Sequence, residues 1–173
     1  MKSSKTNIRK MALVGLSASL ALLLSYVEFL LPPLYAAVPG IKLGLPNIVI
    51  LYVLYTLDWR MAATVSLTRL LISSLLFGNV LTLAYSAAGA LLSLLVMLLL
   101  KRLDLFSSVG VSVAGGVSHN LGQILVAMLL LDTPQIALYM LVLAVTGTIS
   151  GILVGLCAAL LIKRLPPQKI FRS

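Results

Sequence analysis

Acidic side chains are scarce in this sequence, which has only four Asp and Glu among 173 residues, against thirteen Lys and Arg. The three aspartates stand apart from one another, so no aspartate pair is available to hold Mg²⁺ against a diphosphate. The glycine-rich nucleotide loop that ends in Lys followed by Ser or Thr is also missing. The sequence therefore predicts no catalytic residue, no metal site, no cofactor and no ATP hydrolysis by this chain.

Histidine and cysteine occur once each. The single Cys157 cannot form an internal disulfide and, within an apolar run, is interpreted as a small packing residue. A lone histidine lacks the two or three further ligands that zinc and similar metals need. The basic residues lie at the ends of apolar runs rather than on one stripe, which excludes nucleic acid as a partner.

Apolar residues are abundant at 61% of the chain, with 10% charged, and a soluble domain of this size could not bury so many. The predicted fold is an all-α bundle in the lipid bilayer, a single membrane domain over residues 1–173. A spanning helix needs about 20 apolar residues, which leaves room for six short spans. The predicted spans are 11–31, 45–57, 61–77, 81–100, 109–131 and 136–162, with an outer loop over 32–47.

The first apolar run has no signal-peptide cleavage site, so we expect it to be retained as a span. The second run is short and follows Pro-rich and Gly-rich chain, which predicts irregular structure dipping into the protein before the helix begins.

The positions of Lys and Arg predict the orientation, because cytoplasmic loops carry the excess. In the six-span arrangement one basic residue, Lys42, lies outside and another, Arg69, lies within a span. The remaining eleven gather on one side, which predicts that both termini are cytoplasmic, in a multi-pass protein of the bacterial cytoplasmic membrane. These eleven are Lys2, Lys5, Arg9, Lys10, Arg60, Lys101, Arg102, Lys163, Arg164, Lys169 and Arg172.

Small residues recur at intervals of four on two spans, a spacing that allows close helix approach in lipid. Gly147, Gly151 and Gly155 form a ridge on the last span, and we interpret it as helix packing within the chain, with docking of a partner helix as the alternative. Gly15 and Ser19 form a shorter pair on the first span. For that pair, packing and partner-helix docking are equally favoured.

Arg69 lies about halfway along the third run, too deep for its charge to reach water easily. The plausible acidic partner is Glu28, near the outer end of the first span. The two residues either form a structural clamp, or Arg69 anchors an anionic or carbonyl group of a ligand. The pattern leaves both interpretations open.

His119, Asn120 and Gln123 stand together in the fifth span, with His119 and Gln123 on one face. Hydrogen bonds between helices would explain them, but three adjacent polar groups exceed what packing usually needs. We therefore predict that they form a polar wall of a cavity.

The outer loop and its surroundings supply further candidates for binding a solute. Loops of this length are typical of binding lids, and this one contains Tyr35, Lys42 and Asn47. Lys42 would meet an anionic solute first, or is simply a surface lysine. Asn79 and Tyr85 stand at the outer start of the fourth span, where Tyr is also a common interface anchor.

Five segments together resemble the Gx transporter family, also labelled heptaprenyl diphosphate synthase component I. The resemblance covers nearly the whole chain. Its residues are Tyr26-Val27-Glu28, the loop 39–47, Arg69 followed by 76–79, Tyr85 with Gly89, and 111–123 with its His-Asn-Leu-Gly-Gln motif.

The resemblance implies a fold similar to the S components of energy-coupling factor transporters. Those proteins have six spans, hold a vitamin-like solute under the first outer loop, and pair with a transmembrane coupling subunit and an ATPase pair. They dock through an Ala-x-x-x-Ala motif on the first helix, and Gly15 and Ser19 occupy the matching place here.

Two functions therefore stand as expectations. In the first, the chain binds a small solute from the outer face for uptake with an energising partner, in a setting linked to quinone or flavin metabolism. In the second, it is a non-catalytic accessory subunit of heptaprenyl diphosphate synthesis for menaquinone, or of extracellular electron transfer. For the solute-binding function the predicted substrate site combines Glu28, Tyr35, Lys42, Asn47, Arg69, Asn79, Tyr85, His119, Asn120 and Gln123.

Overall fold

A computed structural model describes residues 2–31, 43–132 and 134–165, and this part of the chain contains helices and no strand. Hydropathy had predicted an all-helical chain, and this is confirmed. The elements are α1 Lys2–Leu30, α2 Pro46–Thr56, α3 Trp59–Phe77, α4 Val80–Leu103, α5 Ser108–Leu131, a 3₁₀ segment Pro134–Tyr139 and α6 Met140–Arg164.

Five of the six helices are long and apolar enough to cross a bilayer, namely α1, α3, α4, α5 and α6. Many of their leucines are exposed, as expected for side chains that face lipid. The chain is therefore a multi-pass membrane protein. We call the end where α1 and α3 end and α4 begins the loop end, and the opposite end, where α1 begins and α6 ends, the terminal end.

Helix α2 lies within the short second run predicted over 45–57 and is 11 residues long. At 1.5 Å per residue it covers about 16 Å, roughly half of a 30 Å hydrocarbon core. It ends at the terminal end, where α3 follows after two residues, so its first turn lies near the middle of the bundle. Its apolar side chains surround the whole helix, and it is correspondingly buried among α1, α3 and α6.

Polar capping residues set several helix ends. The side chain of Asn79 accepts a hydrogen bond from the backbone N–H of Thr82 and so begins α4, while Ser107 does the same for α5. Helix α1 begins at Lys2, nine residues before the apolar run predicted as the first span, because hydropathy marks only the apolar part of a helix. The apolar run predicted from 136 begins as the 3₁₀ segment.

Glycines bring α5 very close to both of its neighbours. A Cβ added at Gly122 would lie 2.8 Å from the carbonyl oxygen of Ala88 on α4. On the other side of α5, a Cβ added at Gly116 would lie 2.6 Å from the carbonyl oxygen of Gly147 on α6. We call α4, α5 and α6 the glycine-packed half, because only residues without a side chain permit this approach.

The α6 glycine ridge faces α5 within the chain. A Cβ at Gly151 would lie 2.6 Å from the Cα of Val113, and one at Gly155 would lie 2.8 Å from the Cα of Val109. The ridge is thus filled by the neighbouring helix. Helix α1 differs, because a Cβ at its Gly15 would meet nothing within 4 Å.

Candidate functional site

A polar cavity lies inside the bundle, and all six helices contribute to its wall. Its volume is about 50 Å³, enough for a water molecule or two or for one small charged group. The wall consists of Glu28 from α1, Pro46 and Asn47 from α2, Arg69 from α3, Ser86 from α4, Gly116, His119, Asn120 and Gln123 from α5, Ser150 from α6, and Gly44. Such a concentration of polar groups is unusual within a membrane bundle.

Six residues that the sequence predicted for a substrate site come together in this wall: Glu28, Asn47, Arg69, His119, Asn120 and Gln123. Two others lie apart. Asn79 is exposed and caps α4, where its Oδ1 also accepts from the Thr82 hydroxyl at 2.8 Å, and Tyr85 does not line the cavity. The predicted residues Tyr35 and Lys42 lie outside the described part of the chain.

Arg69 brings a positive charge to the cavity at mid-depth. It stands ten residues from the start of α3, which corresponds to about 15 Å along the helix. Its Nε is buried and makes no hydrogen bond within the described residues. The carboxylate of Glu28 is close enough to interact with the guanidinium electrostatically. A buried donor without an acceptor is costly, so the guanidinium of Arg69 is incompletely satisfied by the described residues.

Glu28 is tied to the turn that precedes α2. Its Oε1 accepts a hydrogen bond from the backbone N–H of Gly44. Gly44 has a φ of +73°, a left-handed conformation that glycine adopts without strain. A Cβ there would lie 3.2 Å from the amide nitrogen of Asn47. Glu28 therefore holds the start of α2 in the wall of the cavity.

The first turn of α2 adds a positive electrostatic field to the cavity. Asn47 N–H donates to the Gly44 carbonyl at 2.9 Å, Ile48 N–H donates to the Leu45 carbonyl at 3.1 Å, and Pro46 has no N–H. These bonds occupy the first N–H groups of α2, so this end contributes the field of the helix dipole rather than free donors. The wall thus combines one guanidinium, the carboxylate of Glu28 and one helix N-terminus.

A model of the protein family described as Heptaprenyl diphosphate synthase component I matches residues 17–161. The chain belongs to this family. The family label that the sequence motifs predicted is thereby confirmed. No curated protein and no solved structure matches the chain. The matched residues of this Heptaprenyl diphosphate synthase component I member include every residue in the wall of the polar cavity.

Asn120 has a packing function in addition to its place in the wall. Its Nδ2 donates to the carbonyl of Leu143 on α6 at 2.7 Å, and a Cβ at Gly147 would lie 2.9 Å from the same nitrogen. His119 and Gln123 lie on the opposite side of α5, against Gly89 of α4, where an added Cβ would lie 2.8 Å from the Gln123 Cγ. The three polar residues of α5 therefore divide between the α6 and α4 interfaces.

Sequence reasoning missed Ser86 and Ser150 as wall residues, and it placed Gly44 and Pro46 at the site only as part of the outer loop 32–47. Serines are common in membrane helices and bond to their own preceding turn, as Ser150 Oγ does to the Gly147 carbonyl at 3.2 Å. A usable signal existed for Ser86, because Gly89 follows it by three residues and therefore shares its helix face. That face is the one α4 turns toward α5.

Two further spaces adjoin the polar cavity. One, of about 20 Å³, lies between α2, α5 and α6 and shares Gly44, Asn47, Gly116 and Ser150 with it. The other, of about 70 Å³, lies toward α1 and α3 and shares Glu28, Arg69 and Ser86 with it. A ligand larger than the polar cavity could therefore extend into either of the two neighbouring spaces.

The pair predicted for docking a partner helix lies on an exposed face of α1. Gly15 and Ser19 are both exposed, and Ser19 Oγ donates to the Gly15 carbonyl at 3.0 Å, so its hydroxyl is satisfied within the helix. As for metals, no cluster of three His, Cys, Asp or Glu suited to an ion occurs in residues 2–31, 43–132 and 134–165.

Proposed function

We propose that this protein binds a small solute with an anionic group in the polar cavity, and acts as an S-component-like subunit for its uptake with an energising partner. The observation that supports the proposal most concerns Arg69, whose side chain lines a cavity built by all six helices and whose buried Nε makes no hydrogen bond to any described residue. A structural ion pair alone would not need polar side chains from every helix.

The chemistry of the wall favours a carboxylate or phosphate. A guanidinium binds either anion through two parallel N–H donors, and a helix N-terminus adds a favourable field. Gln123 and Ser86 offer neutral hydrogen-bonding groups that could fix the orientation of the rest of the solute. The anionic group would sit at Arg69, with its uncharged part against α4 and α5.

The proposed direction of binding follows from the charges at the two ends. The basic residues of the described helix ends gather at the terminal end: Arg9, Lys10, Arg60, Lys101, Arg102, Lys163 and Arg164. By the positive-inside rule the terminal end is cytoplasmic and the loop end faces outward. The solute would then arrive under loop 32–47, past Tyr35 and Lys42. A coupling subunit with an ATPase pair would dock on the exposed Gly15 and Ser19.

A matched pair of charge-removing substitutions tests this function against a purely structural clamp. Arg69→Gln removes the anchor, so co-purifying anionic small molecules detected by native mass spectrometry should disappear while the protein stays folded. Glu28→Gln keeps a hydrogen-bond acceptor for Gly44 but removes a repelling charge, so such molecules should be retained or enriched.

The clamp interpretation predicts the opposite pattern. Both substitutions would then leave one buried charge without its partner and lower the thermal stability in detergent by a similar amount, about 3 kcal/mol or more. Equal destabilisation by the two variants, with no change in bound molecules, would overturn the proposed function.

The family description supports a second candidate function, that of a non-catalytic membrane subunit of heptaprenyl diphosphate synthesis. A neighbouring soluble subunit would then supply the Mg²⁺-binding aspartates that this sequence does not contain. Mixing the purified protein with a prenyl synthase subunit from the same cell, and measuring Mg²⁺-dependent chain elongation, tests it. No gain over the soluble subunit alone would rule it out.

A further inference from the structure

We infer that the molecule bound in the polar cavity is an anionic lipid of the surrounding bilayer, whose charged headgroup contacts Arg69 and whose apolar chain leaves sideways between α1 and α3. This inference rests on the anion site that the proposed function places at Arg69, and it differs from that function in the rest of the ligand, which enters from the bilayer and lies between α1 and α3 rather than arriving under loop 32–47. The inference is based on three adjoining spaces: the polar cavity, the space toward α1 and α3, and a groove on the lipid-facing surface.

The first step leads from the polar cavity toward α1 and α3. The adjoining space of about 70 Å³ shares the side chains of Glu28, Arg69 and Ser86 with the polar cavity. Its further wall is mixed, with the hydroxyls of Ser25, Ser73, Ser74 and Thr82 beside the rings of Phe29 and Phe77. This space therefore has room for the polar part of a headgroup next to the guanidinium, and the wall becomes apolar only beyond the two rings.

The second step leads to the outer surface of the bundle. A groove of about 680 Å³ runs along the lipid-facing side, and its wall includes the same Phe29 and Phe77. The rest of the wall is Ser19, Leu22, Leu23, Tyr26 and Leu76. From Ser19 to Phe29 the groove follows α1 for ten residues, about 15 Å. This apolar groove is more than ten times larger than the polar cavity beside it.

Aromatic rings stand where the two spaces meet. The rings of Phe29 and Phe77 are 5.1 Å apart between centroids, and Tyr26 contacts Phe77 with centroids 6.0 Å apart. These contacts join α1 to α3 by side chains alone, which can change rotamer without moving a backbone. An acyl chain could pass between them.

The sizes and polarities of the spaces favour an amphiphilic guest over a wholly polar one. The polar cavity has room for a single charged group, whereas the groove is apolar and opens directly to lipid. A molecule with one anionic group and a long apolar chain fits both spaces at once. Such molecules are already dissolved in the bilayer at high local concentration, so they need no route through water.

Three probes of matched chemistry test the inference on the full chain in detergent by native mass spectrometry. Phosphatidic acid has both parts, diacylglycerol has only the apolar part, and glycerol 3-phosphate has only the anionic part. We expect phosphatidic acid to bind at least tenfold more tightly than either, a difference of about 1.4 kcal/mol. Arg69→Gln should remove that advantage.

Variants of the groove separate this inference from the proposed function. Leu23→Trp fills the groove from α1 and Leu76→Trp fills it from α3, so one remains informative if the other fails to fold. Each should weaken phosphatidic acid about tenfold and leave glycerol 3-phosphate unchanged. The matched control is Leu95→Trp, at an exposed position of α4 outside the groove, which should change neither.

Two results would overturn the inference in distinguishable ways. Binding of glycerol 3-phosphate that depends on Arg69, with no advantage for phosphatidic acid and no effect of Leu23→Trp or Leu76→Trp, would reject the lipid and keep the proposed function. Absence of any binding that depends on Arg69 would reject both. Loss of a co-purifying partner protein in the groove variants, with lipid binding unchanged, would assign the groove to a partner helix and also reject the lipid.

Discussion

The glycine-packed half and the α1–α3 side of the same bundle are held together by different contacts. Between α5 and its neighbours, backbones meet directly at glycines, as at Gly116 and Gly122. Between α1 and α3, aromatic side chains meet instead, and two open spaces lie beside them. Helices in lipid gain little from hydrophobic burial, so close backbone approach is the stronger of these two means of association.

From this difference we expect the two regions to differ in rigidity. The glycine-packed half should be the stiffer one, because backbones meet directly there, whereas the contacts beside the groove between α1 and α3 are made by aromatic side chains that can change rotamer. The polar cavity lies where the two meet, with Arg69 on α3 facing His119 and Gln123 on α5. Three predictions test this comparison, in order of decreasing expected effect on stability.

The largest effect should come from replacing a glycine of the glycine-packed half by alanine, compared with the same replacement on α1. Gly151→Ala places a Cβ 2.6 Å from the Cα of Val113, so α5 and α6 must separate, at a cost of up to about 3 kcal/mol. Gly15→Ala meets nothing within 4 Å and should stabilise α1 by about 0.5–1 kcal/mol, because alanine favours the helix. Thermal unfolding in detergent measures both. Equal shifts of the two unfolding temperatures in the same direction would refute the difference in packing between the two regions.

An intermediate effect should follow Lys101→Met, which removes a hydrogen bond between the glycine-packed half and α2. Lys101 Nζ on α4 donates to the carbonyl of Leu54 in the last turn of α2 and lies 5.2 Å from the centroid of the Tyr55 ring. Loss of this charged hydrogen bond should cost about 1.5–2 kcal/mol. Arg102→Met, at the neighbouring exposed position, is the control and should stay within about 0.5 kcal/mol.

The smallest effect should follow Asn120→Ala within the glycine-packed half. The variant loses the 2.7 Å bond to the Leu143 carbonyl, and such bonds between membrane helices are worth about 0.6–1.7 kcal/mol. Gln123→Ala should change stability less and ligand binding more. Chemical unfolding measures the stability of both variants, and native mass spectrometry measures their ligand binding. Together they distinguish helix packing by Asn120 from ligand binding by Gln123. A larger loss of stability in the Gln123 variant would show that the assignment is reversed.

The helices were predictable because lipid imposes one rule, that apolar runs of sufficient length become helices. Helix ends were less predictable, since α1 continues through basic residues to Lys2 and α2 stops at 11 residues. Hydropathy does not report where a helix begins when its first turn is polar. The irregular chain before α2 was nevertheless indicated by Pro46 and the glycines that precede it.

Much of the candidate site was also predictable, since charged and amide side chains within apolar runs are costly unless they meet. That rule found Glu28, Arg69 and the polar residues of α5. The rule could not identify Ser86 or Ser150, because burial of a hydroxyl costs little free energy when the hydroxyl donates to a carbonyl of its own helix. It also could not separate Asn79 from the site, because a helix cap and a ligand contact use the same side chain.

The half-length of α2 has an electrical consequence. A charge held beside its first turn would lie about halfway through the low-dielectric layer, so it would experience about half of the membrane potential. For one negative charge and 100 mV this amounts to about 1.2 kcal/mol, roughly a sevenfold change in affinity. In the proposed orientation, with the loop end outward, the negative cell interior would oppose binding of an anion that enters from outside. Such an anion would be released more readily in an energised membrane than in a depolarised one.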